Sequence, residues 1–156
     1  MKKLGLIILL GVIFASCNQQ PKPVVSSMQE NKEACCDTVR DGVFIHITES
    51  YNDPHRVLMP LKMAVMMAND KDVLVYLDIH AVELAVKGAK DMSFADFESF
   101  KTYIKQLSDI KVGVYACPTC LKIAGFKPTD LMEGIQIAQK DKFFNFTKGR
   151  IITLDY

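Results

Sequence analysis

The stretch that decides the fold is VGVYACPTCLKIAG, residues 112–125. It begins as a short apolar run typical of a buried strand, passes through two cysteines, and continues as a helix that ends at Gly125. Pro118 follows Cys117 directly, and proline is favoured at the first position of a helix. The motif therefore places Cys117 at a strand-to-helix turn, with Cys120 one helical turn later.

Apolar runs on both sides of this motif alternate with helical segments. Strands are predicted at residues 42–48, 72–79, 111–116, 134–138 and 150–154. The first predicted helix has Asp53 as its N-cap and either a kink or a new start at Pro60. Another helix is capped by Ser93, and the last covers residues 140–148. Because alternating strands and helices indicate βαβ units, we predict an α/β fold, a three-layer α/β/α sandwich with a mostly parallel five-stranded sheet.

Polar residues follow three of the predicted strands and should share one edge of the sheet. Ligands of open parallel sheets bind beyond the carboxyl ends of the strands. His55 follows the first strand, Asp78 and His80 close the second, and Cys117 follows the third. His80 and His55 are candidates for stabilising a thiolate or moving a proton, although a surface histidine beside a strand end is common. His46, inside the first strand, is interpreted as a core histidine.

Cys117 is the leading candidate for chemistry. A thiolate at a helix N-terminus is stabilised by unpaired backbone N–H groups, so its pKa can fall below the value of about 8.5 for free cysteine. Cys120 is placed to attack or shield a sulfur bound to Cys117. The alternatives are a static disulfide or two small buried side chains. A zinc site shared with Cys35 and Cys36 is chemically allowed, but nothing in the sequence requires it, and we expect neither a metal nor a cofactor.

The N-terminal residues predict export and a lipid anchor. Lys2 and Lys3 precede an apolar run at residues 4–14, which is shorter than the roughly 20 residues that span a bilayer. Small residues then lead to Cys17, which resembles the cleavage site of bacterial lipoproteins. We therefore predict a signal peptide over residues 1–16 and a lipidated Cys17, anchored to a bacterial membrane and facing the periplasm. An ordinary signal peptide with an incidental cysteine is the alternative.

The rest of the chain divides into a tether and one domain. Residues 17–40 are rich in Gln, Asn, Pro, Ser and Lys and have no apolar period, so they predict a flexible tether. Residues 41–156 have the size of one domain. The formal net charge of +1 gives no reason to expect nucleic acid as a partner. Thiols outside the cytosol tend to be oxidised, so free-thiol chemistry there needs a reductant or a protective cargo.

Several stretches of the domain resemble the DsrE/DsrF-like (TusD-related) sulfur-relay family. They are GVFIHITES, PHRVLMPLKMA, DVLVYLDIHAVELA, VGVYACPTCLKIAG and RIITLDY, within residues 42–156. The most specific feature is a cysteine after the third strand followed eight residues later by a glycine, here Cys117 and Gly125. The resemblance implies a persulfide on Cys117, a five-stranded parallel sheet with helices on both faces, and assembly as a homotrimer or homohexamer. Cys120 has no counterpart in the single-cysteine relay pattern.

The predicted function is that of a membrane-anchored, thiol-active protein, either sulfurtransferase-like or redox-active. Cys117 would act as nucleophile or persulfide carrier and Cys120 as resolving thiol, while His80 and His55 would tune the site. The expected partner is a sulfur donor or a thiol protein that the sequence does not identify. Two alternatives remain open: a non-catalytic module that binds a soft metal or small ligand at the same rim, and a structural lipoprotein with an inert disulfide.

Overall fold

Five parallel strands organise residues 39–156, the part of the chain that the structure, a computed structural model, describes. The strands are β1 (Gly42–Ile47), β2 (Asp72–Leu77), β3 (Gly113–Ala116), β4 (Ile135–Ile137) and β5 (Ile151–Asp155). Their order in the sheet is β4-β3-β2-β1-β5, and every pairing is parallel. Three successive crossovers therefore run the same way from β1 to β4, whereas β5 returns to the other side of β1.

This strand order distributes the helices over both faces of the sheet. The helices are α1 (Pro54–Met67), α2 (Phe100–Asp109), α3 (Pro118–Ile123) and α4 (Lys140–Phe144), with short 3-10 helices at Ala81–Leu84 and Pro128–Asp130. Right-handed crossovers place the first three helices on one face and α4 on the other. The predicted α/β/α sandwich with a parallel five-stranded sheet is thereby confirmed.

The face beneath α1 and α2, here called the helix face, holds the hydrophobic core. Alternate strand residues point to it, because successive side chains of a strand leave opposite sides of the sheet. They are Val43, Ile45 and Ile47 of β1, Val73, Val75 and Leu77 of β2, and Val114 and Ala116 of β3, all buried. Leu61 of α1 and Ile104 of α2 pack against them. Burial of these aliphatic side chains is the main source of the stability of the sheet.

The opposite face, here called the aromatic face, has a thinner cover. It carries Phe44, Tyr76 and Tyr115 from three neighbouring strands. Phe143 of α4 packs edge-on against the rings of Phe44 and Tyr76, at centroid distances of 5.2 and 4.8 Å. Because α4 has only five residues, this layer leaves the carboxyl end of the aromatic face partly open.

The first helix begins as the sequence predicts. Asp53 is the N-cap of α1, and its carboxylate accepts a hydrogen bond from the N–H of Arg56 at 3.2 Å. No new helix starts at Pro60, which was one of the two possibilities foreseen there. Pro60 lies inside one helix that runs from Pro54 to Met67. The missing N–H of Pro60 removes one hydrogen bond of the helix, while its ring is buried in the core.

The N-cap predicted at Ser93 is wrong. Helix α2 begins at Phe100 with Ser99 as its N-cap. Ala95 has a left-handed φ of +46°, which no helix accommodates, and the N–H of Phe100 donates to the carbonyl of Met92 at 2.9 Å. Residues 93–99 therefore close a loop before the helix can start.

The helix predicted over residues 140–148 is shorter than expected. It ends at Phe144, because the side-chain amide of Asn145 donates to the carbonyl of Asp141 at 2.9 Å. That carbonyl would otherwise accept the backbone N–H of residue 145 in a continuing helix. The asparagine side chain thus competes with the backbone and ends the helix.

Several predictions fall on residues before 39. Outside the described residues lie the signal peptide over residues 1–16, the lipidated Cys17, nearly all of the tether at 17–40, and Cys35 and Cys36. Within residues 39–156, no helix is both long and apolar enough to cross a membrane.

Candidate functional site

Cys117 lies between β3 and α3, at the carboxyl edge of the sheet. Its N–H donates to the carbonyl of Leu77 at 2.9 Å, which extends the β2–β3 ladder past the end of β3. Its sulfur is the N-cap of α3 and accepts the N–H of Cys120 at 3.4 Å. The thiol takes the place of the hydroxyl or carboxylate that usually accepts this N–H. The strand and the helix together fix where the sulfur lies.

Gly125 has a defined structural role in the motif. It follows the C-cap residue of α3 and has a φ of +82°, a left-handed conformation that glycine adopts without strain. The N–H of Phe126 donates to the carbonyl of Leu121 at 3.0 Å, and the N–H of Gly125 to that of Lys122 at 3.1 Å, as in a Schellman motif. The eight-residue spacing between Cys117 and Gly125 is therefore the length of one short capped helix.

Cys117 shares the aromatic face with residues of two neighbouring strands. The register aligns His46 of β1 with Tyr76 of β2, and Tyr76 with Tyr115 of β3. Cys117 lies two residues after Tyr115 and therefore points to the same face. The Tyr76 hydroxyl lies close enough to the Cys117 sulfur to lower the pKa of that thiol. Tyr76 was not among the residues predicted for the site.

The two thiols differ in acidity. Partial burial raises the pKa of Cys117, but hydrogen bonds from the Tyr76 hydroxyl, from the N–H and thiol of Cys120, and from the N–H of Thr119 outweigh it, so the pKa is lowered. Burial and the hydrogen bond to Cys117 raise the pKa of Cys120, and the charge of Asp78 adds to this. Both residues are free thiols. The pair therefore consists of the more acidic thiol, Cys117, beside the less acidic thiol, Cys120.

Ile79 forms a strained turn next to the thiols. Its φ is +48°, which is a genuine outlier for a β-branched residue. Its backbone N–H lowers the pKa of the neighbouring Cys120 thiol, while its side chain is 54% exposed and gains little from burial. Strained backbone of this kind clusters at functional sites. The sequence offers no signal for it, since isoleucine at this position continues the pattern of a strand.

His46 lies between two carboxylates at the same edge. Its Nδ1 is 2.9 Å from Oδ1 of Asp155 on β5. Its Nε2 is 2.9 Å from Oδ1 of Asp78, out of line for a good hydrogen bond, and both of these atoms are buried. The imidazole is stacked on the ring of Tyr76, with centroids 5.6 Å apart. Burial lowers the pKa of His46, but the two carboxylates outweigh it and raise it. His46 thus lies between two carboxylates on the aromatic face, rather than being the core histidine suggested by the sequence.

The two histidines predicted for the site are exposed, and their contacts are with residues other than the cysteines. The side chain of His80 is 66% exposed, and its Nδ1 is 3.8 Å from a carboxylate oxygen of Glu83. The ring of His55 is exposed and stacks on Phe94 and Phe97, with centroids 5.6 and 5.5 Å away. Within the described residues, the structure joins Cys117 to Cys120, as the spacing predicts, but no hydrogen bond joins either of these histidines to a cysteine.

The thiols lie on an open rim rather than in an enclosed cavity. A cavity of about 840 Å³ opens at the amino edge of the sheet, lined among others by Arg40, Lys71 and Lys111. Neither Cys117 nor Cys120 lines it, so it lies apart from the thiol chemistry. Residues 39–156 contain no group of three or more His, Cys, Asp or Glu side chains arranged to hold a metal.

Comparison with known proteins identifies the fold. No family model and no curated protein matches the chain. Among solved structures, the ychN protein from E. coli superimposes with a TM-score of 0.55 and 16% identity, over 74% of this chain and 99% of that protein. MTH1491, a protein of unknown function from Methanobacterium thermoautotrophicum, gives 0.50 and 16%, over the same shares. The likeness supports the DsrE-like fold that the sequence resemblance implies, and at this identity it shows the fold alone.

Proposed function

We propose that the domain carries sulfur as a persulfide on Cys117, with Cys120 as the resolving thiol. The observation that supports this is the asymmetry of the pair. The Cys117 sulfur accepts hydrogen bonds from the Tyr76 hydroxyl and from backbone N–H groups, which lowers its pKa. The pKa of Cys120 is raised. Since the thiolate is the nucleophilic form of cysteine, Cys117 is the thiol that attacks.

Loading requires one exchange of sulfur–sulfur bonds. The Cys117 thiolate attacks the terminal sulfur of a donor persulfide, R–S–SH. A new S–S bond forms on Cys117, and the donor thiolate leaves with the electron pair of the bond that breaks. The hydrogen bonds that stabilise the Cys117 thiolate can pass to the persulfide anion that replaces it. No metal or cofactor takes part in this step.

Unloading can follow two routes. An acceptor thiolate can attack the terminal sulfur, which regenerates the Cys117 thiolate. Alternatively, Cys120 can lose its proton and attack the inner sulfur, which expels hydrosulfide and leaves a Cys117–Cys120 disulfide. The second route consumes the two thiols, and an external dithiol must return two electrons before the next cycle.

Thiol–disulfide exchange is the second candidate function. It is favoured by the contact in which the Cys120 thiol donates a hydrogen bond to the Cys117 sulfur, so the two sulfur atoms are already neighbours. In this reaction the Cys117 thiolate would attack a disulfide R–S–S–R and release one thiolate. Cys120 would then displace the second thiolate from the mixed disulfide.

The proposal includes the location and assembly predicted from the sequence. A lipidated Cys17 would anchor the domain to a bacterial membrane, facing the periplasm, with residues 17–40 as tether. A protein persulfide or thiol would be the partner, because the thiols lie on an open rim. Assembly as a homotrimer or homohexamer, implied by the sequence resemblance, completes the proposal.

The test is sulfur loading followed by intact mass spectrometry. The reduced protein is incubated with polysulfide, freed of excess reagent and weighed. We expect added sulfur in the wild type and in Cys120→Ser, and none in Cys117→Ser. A variant with Cys35→Ser and Cys36→Ser is the matched control and should load as the wild type does. Sulfur retained by Cys117→Ser contradicts the proposal. A glutathione adduct formed with glutathione disulfide, without any sulfur adduct, would favour disulfide exchange instead.

A further inference from the structure

Two carboxylates flank His46 at the carboxyl edge of the sheet. Asp78 follows β2, and its side chain is 18% exposed, while Asp155 belongs to β5 and is 68% exposed. Among the described residues, no Lys or Arg pairs with either carboxylate, and both contact His46 at 2.9 Å. His46 is thus the partner that the described residues provide for two negative charges from two different strands.

The protonation state of His46 follows from this arrangement. A neutral imidazole has one N–H and can donate to only one carboxylate. Its other nitrogen then faces the second carboxylate with a lone pair, and the two acceptors repel each other. An imidazolium has two N–H groups, so each carboxylate faces a donor, and its positive charge attracts Asp78 although Nε2 is out of line for a good hydrogen bond. The groups with titratable or charged side chains that face His46 are Asp78 and Tyr76 on the β2 side and Asp155 on the β5 side. The two carboxylates favour the charged form, since Tyr76 is neutral as a phenol.

Two contacts connect this cluster to the thiols. The His46 ring stacks on the ring of Tyr76 at an interplanar angle of 26°, and the Tyr76 hydroxyl lies close enough to the Cys117 sulfur to lower the pKa of that thiol. The charge of Asp78 acts on Tyr76 and on Cys120. A bare carboxylate at this position opposes the formation of a thiolate, whereas one that is paired with an imidazolium opposes it less.

We propose that His46 is a positioning residue for the thiol chemistry, which as an imidazolium compensates the charge of Asp78 beside the cysteines and holds the ring of Tyr76 against Cys117. The inference rests on the proposed function in one respect, that Cys117 is the nucleophile. His46 itself touches neither cysteine in the described contacts, and it acts through Asp78 and Tyr76.

The test measures the rate of iodoacetamide alkylation against pH in the intact protein, in a background with Cys35→Ser and Cys36→Ser. The midpoint of this profile reports the acidity of Cys117. We expect His46→Gln to raise the midpoint by about one pH unit, because Asp78 loses its counter-charge. Below the midpoint, a shift of one unit lowers the thiolate fraction and the alkylation rate about tenfold. His55→Gln is the matched control and should leave the midpoint unchanged.

A second variant separates compensation of charge from damage to the fold. Asp78→Asn keeps the shape of the side chain and removes its charge, so we expect the midpoint to fall. The double variant His46→Gln/Asp78→Asn should return close to the wild-type midpoint. A local distortion would instead raise the midpoint in all three variants. The inference is overturned if His46→Gln leaves the profile unchanged, or if Asp78→Asn raises the midpoint.

The readout also keeps this inference distinguishable from the proposed function. Alkylation needs only a reactive thiol, whereas sulfur carriage needs polysulfide to add sulfur to Cys117. A wild-type protein that takes up no sulfur but shows opposite shifts for His46→Gln and Asp78→Asn would refute the carrier function and support the role of His46. Sulfur uptake with no shift in either variant would have the reverse meaning.

Discussion

The two faces of the sheet are built from alternate residues of the same strands, yet they do different things. On the helix face, Ile45, Ile47 and Leu77 are fully buried in one aliphatic core. On the aromatic face, the residues next to them in sequence, His46 and Tyr76, are partly exposed and lead to the thiols. Residues that stabilise the core and residues that lie beside the thiols are thus adjacent in the sequence, because neighbouring strand residues point to opposite faces of the sheet. Substitutions one position apart should therefore affect different properties.

The largest expected effect is on the stability of the helix face. Leu61 of α1 is fully buried in the core, so Leu61→Ala should lower the free energy of unfolding by about 3 kcal/mol, through lost burial and the cavity that remains. Met66→Ala on the same helix is the matched control, because Met66 is 62% exposed and its loss should change stability by about 0.5 kcal/mol or less. Urea denaturation measures both.

The same variant also tests how far the two faces are independent. While Leu61→Ala remains folded, the alkylation midpoint of Cys117 should equal that of the wild type, since Leu61 belongs to the core of the helix face and Cys117 points to the aromatic face. A midpoint that moves together with stability would contradict the separation of the two faces.

The second prediction concerns the aromatic face. Tyr76→Phe removes the hydroxyl that lowers the pKa of Cys117, so the alkylation midpoint should rise by about one pH unit. Stability should change by only about 1 kcal/mol, the net value of one hydrogen bond. Tyr115→Phe is the matched control, because Tyr115 pairs with Tyr76 in the sheet register but does not donate to Cys117. Equal shifts in the two variants would show that the hydroxyl of Tyr76 has no special role.

The parts of the fold that could be predicted are those with a local cause. Three predicted features depend on only a few neighbouring residues, and the structure contains all three. They are the apolar strand β1, the N-cap at Asp53 and the strand-to-helix turn at Cys117. The start of α2 depends on a hydrogen bond between Phe100 and Met92 across a loop. Such a bond leaves no pattern in the sequence, and the helix was therefore predicted to start too early.

The candidate site could be predicted only where a motif marks it. Cys117 and Cys120 follow from spacing, whereas Tyr76 and His46 look like ordinary strand residues until the register of β1, β2 and β3 is known. His80 and His55 were chosen because they follow strand ends, and the edge is wide enough that neither bonds to a cysteine in the structure. The alternation of side chains along a strand could have identified Tyr76. Tyr76 and His46 lie between core residues in their strands, so both point to the face opposite the core.

The smallest expected effect concerns the strained turn at Ile79, which follows the end of β2. Ile79→Gly should raise the free energy of unfolding by about 1 kcal/mol, because relief of a strain of roughly 1–3 kcal/mol exceeds the entropic cost of glycine, about 1 kcal/mol. The N–H of residue 79 still reaches the Cys120 sulfur in this variant, so the alkylation profile should stay close to that of the wild type. Ile79→Val keeps the β-branched side chain and should not gain stability. If glycine destabilises the domain as well, the isoleucine side chain contributes contacts that outweigh its unfavourable φ, and the turn is not a store of strain.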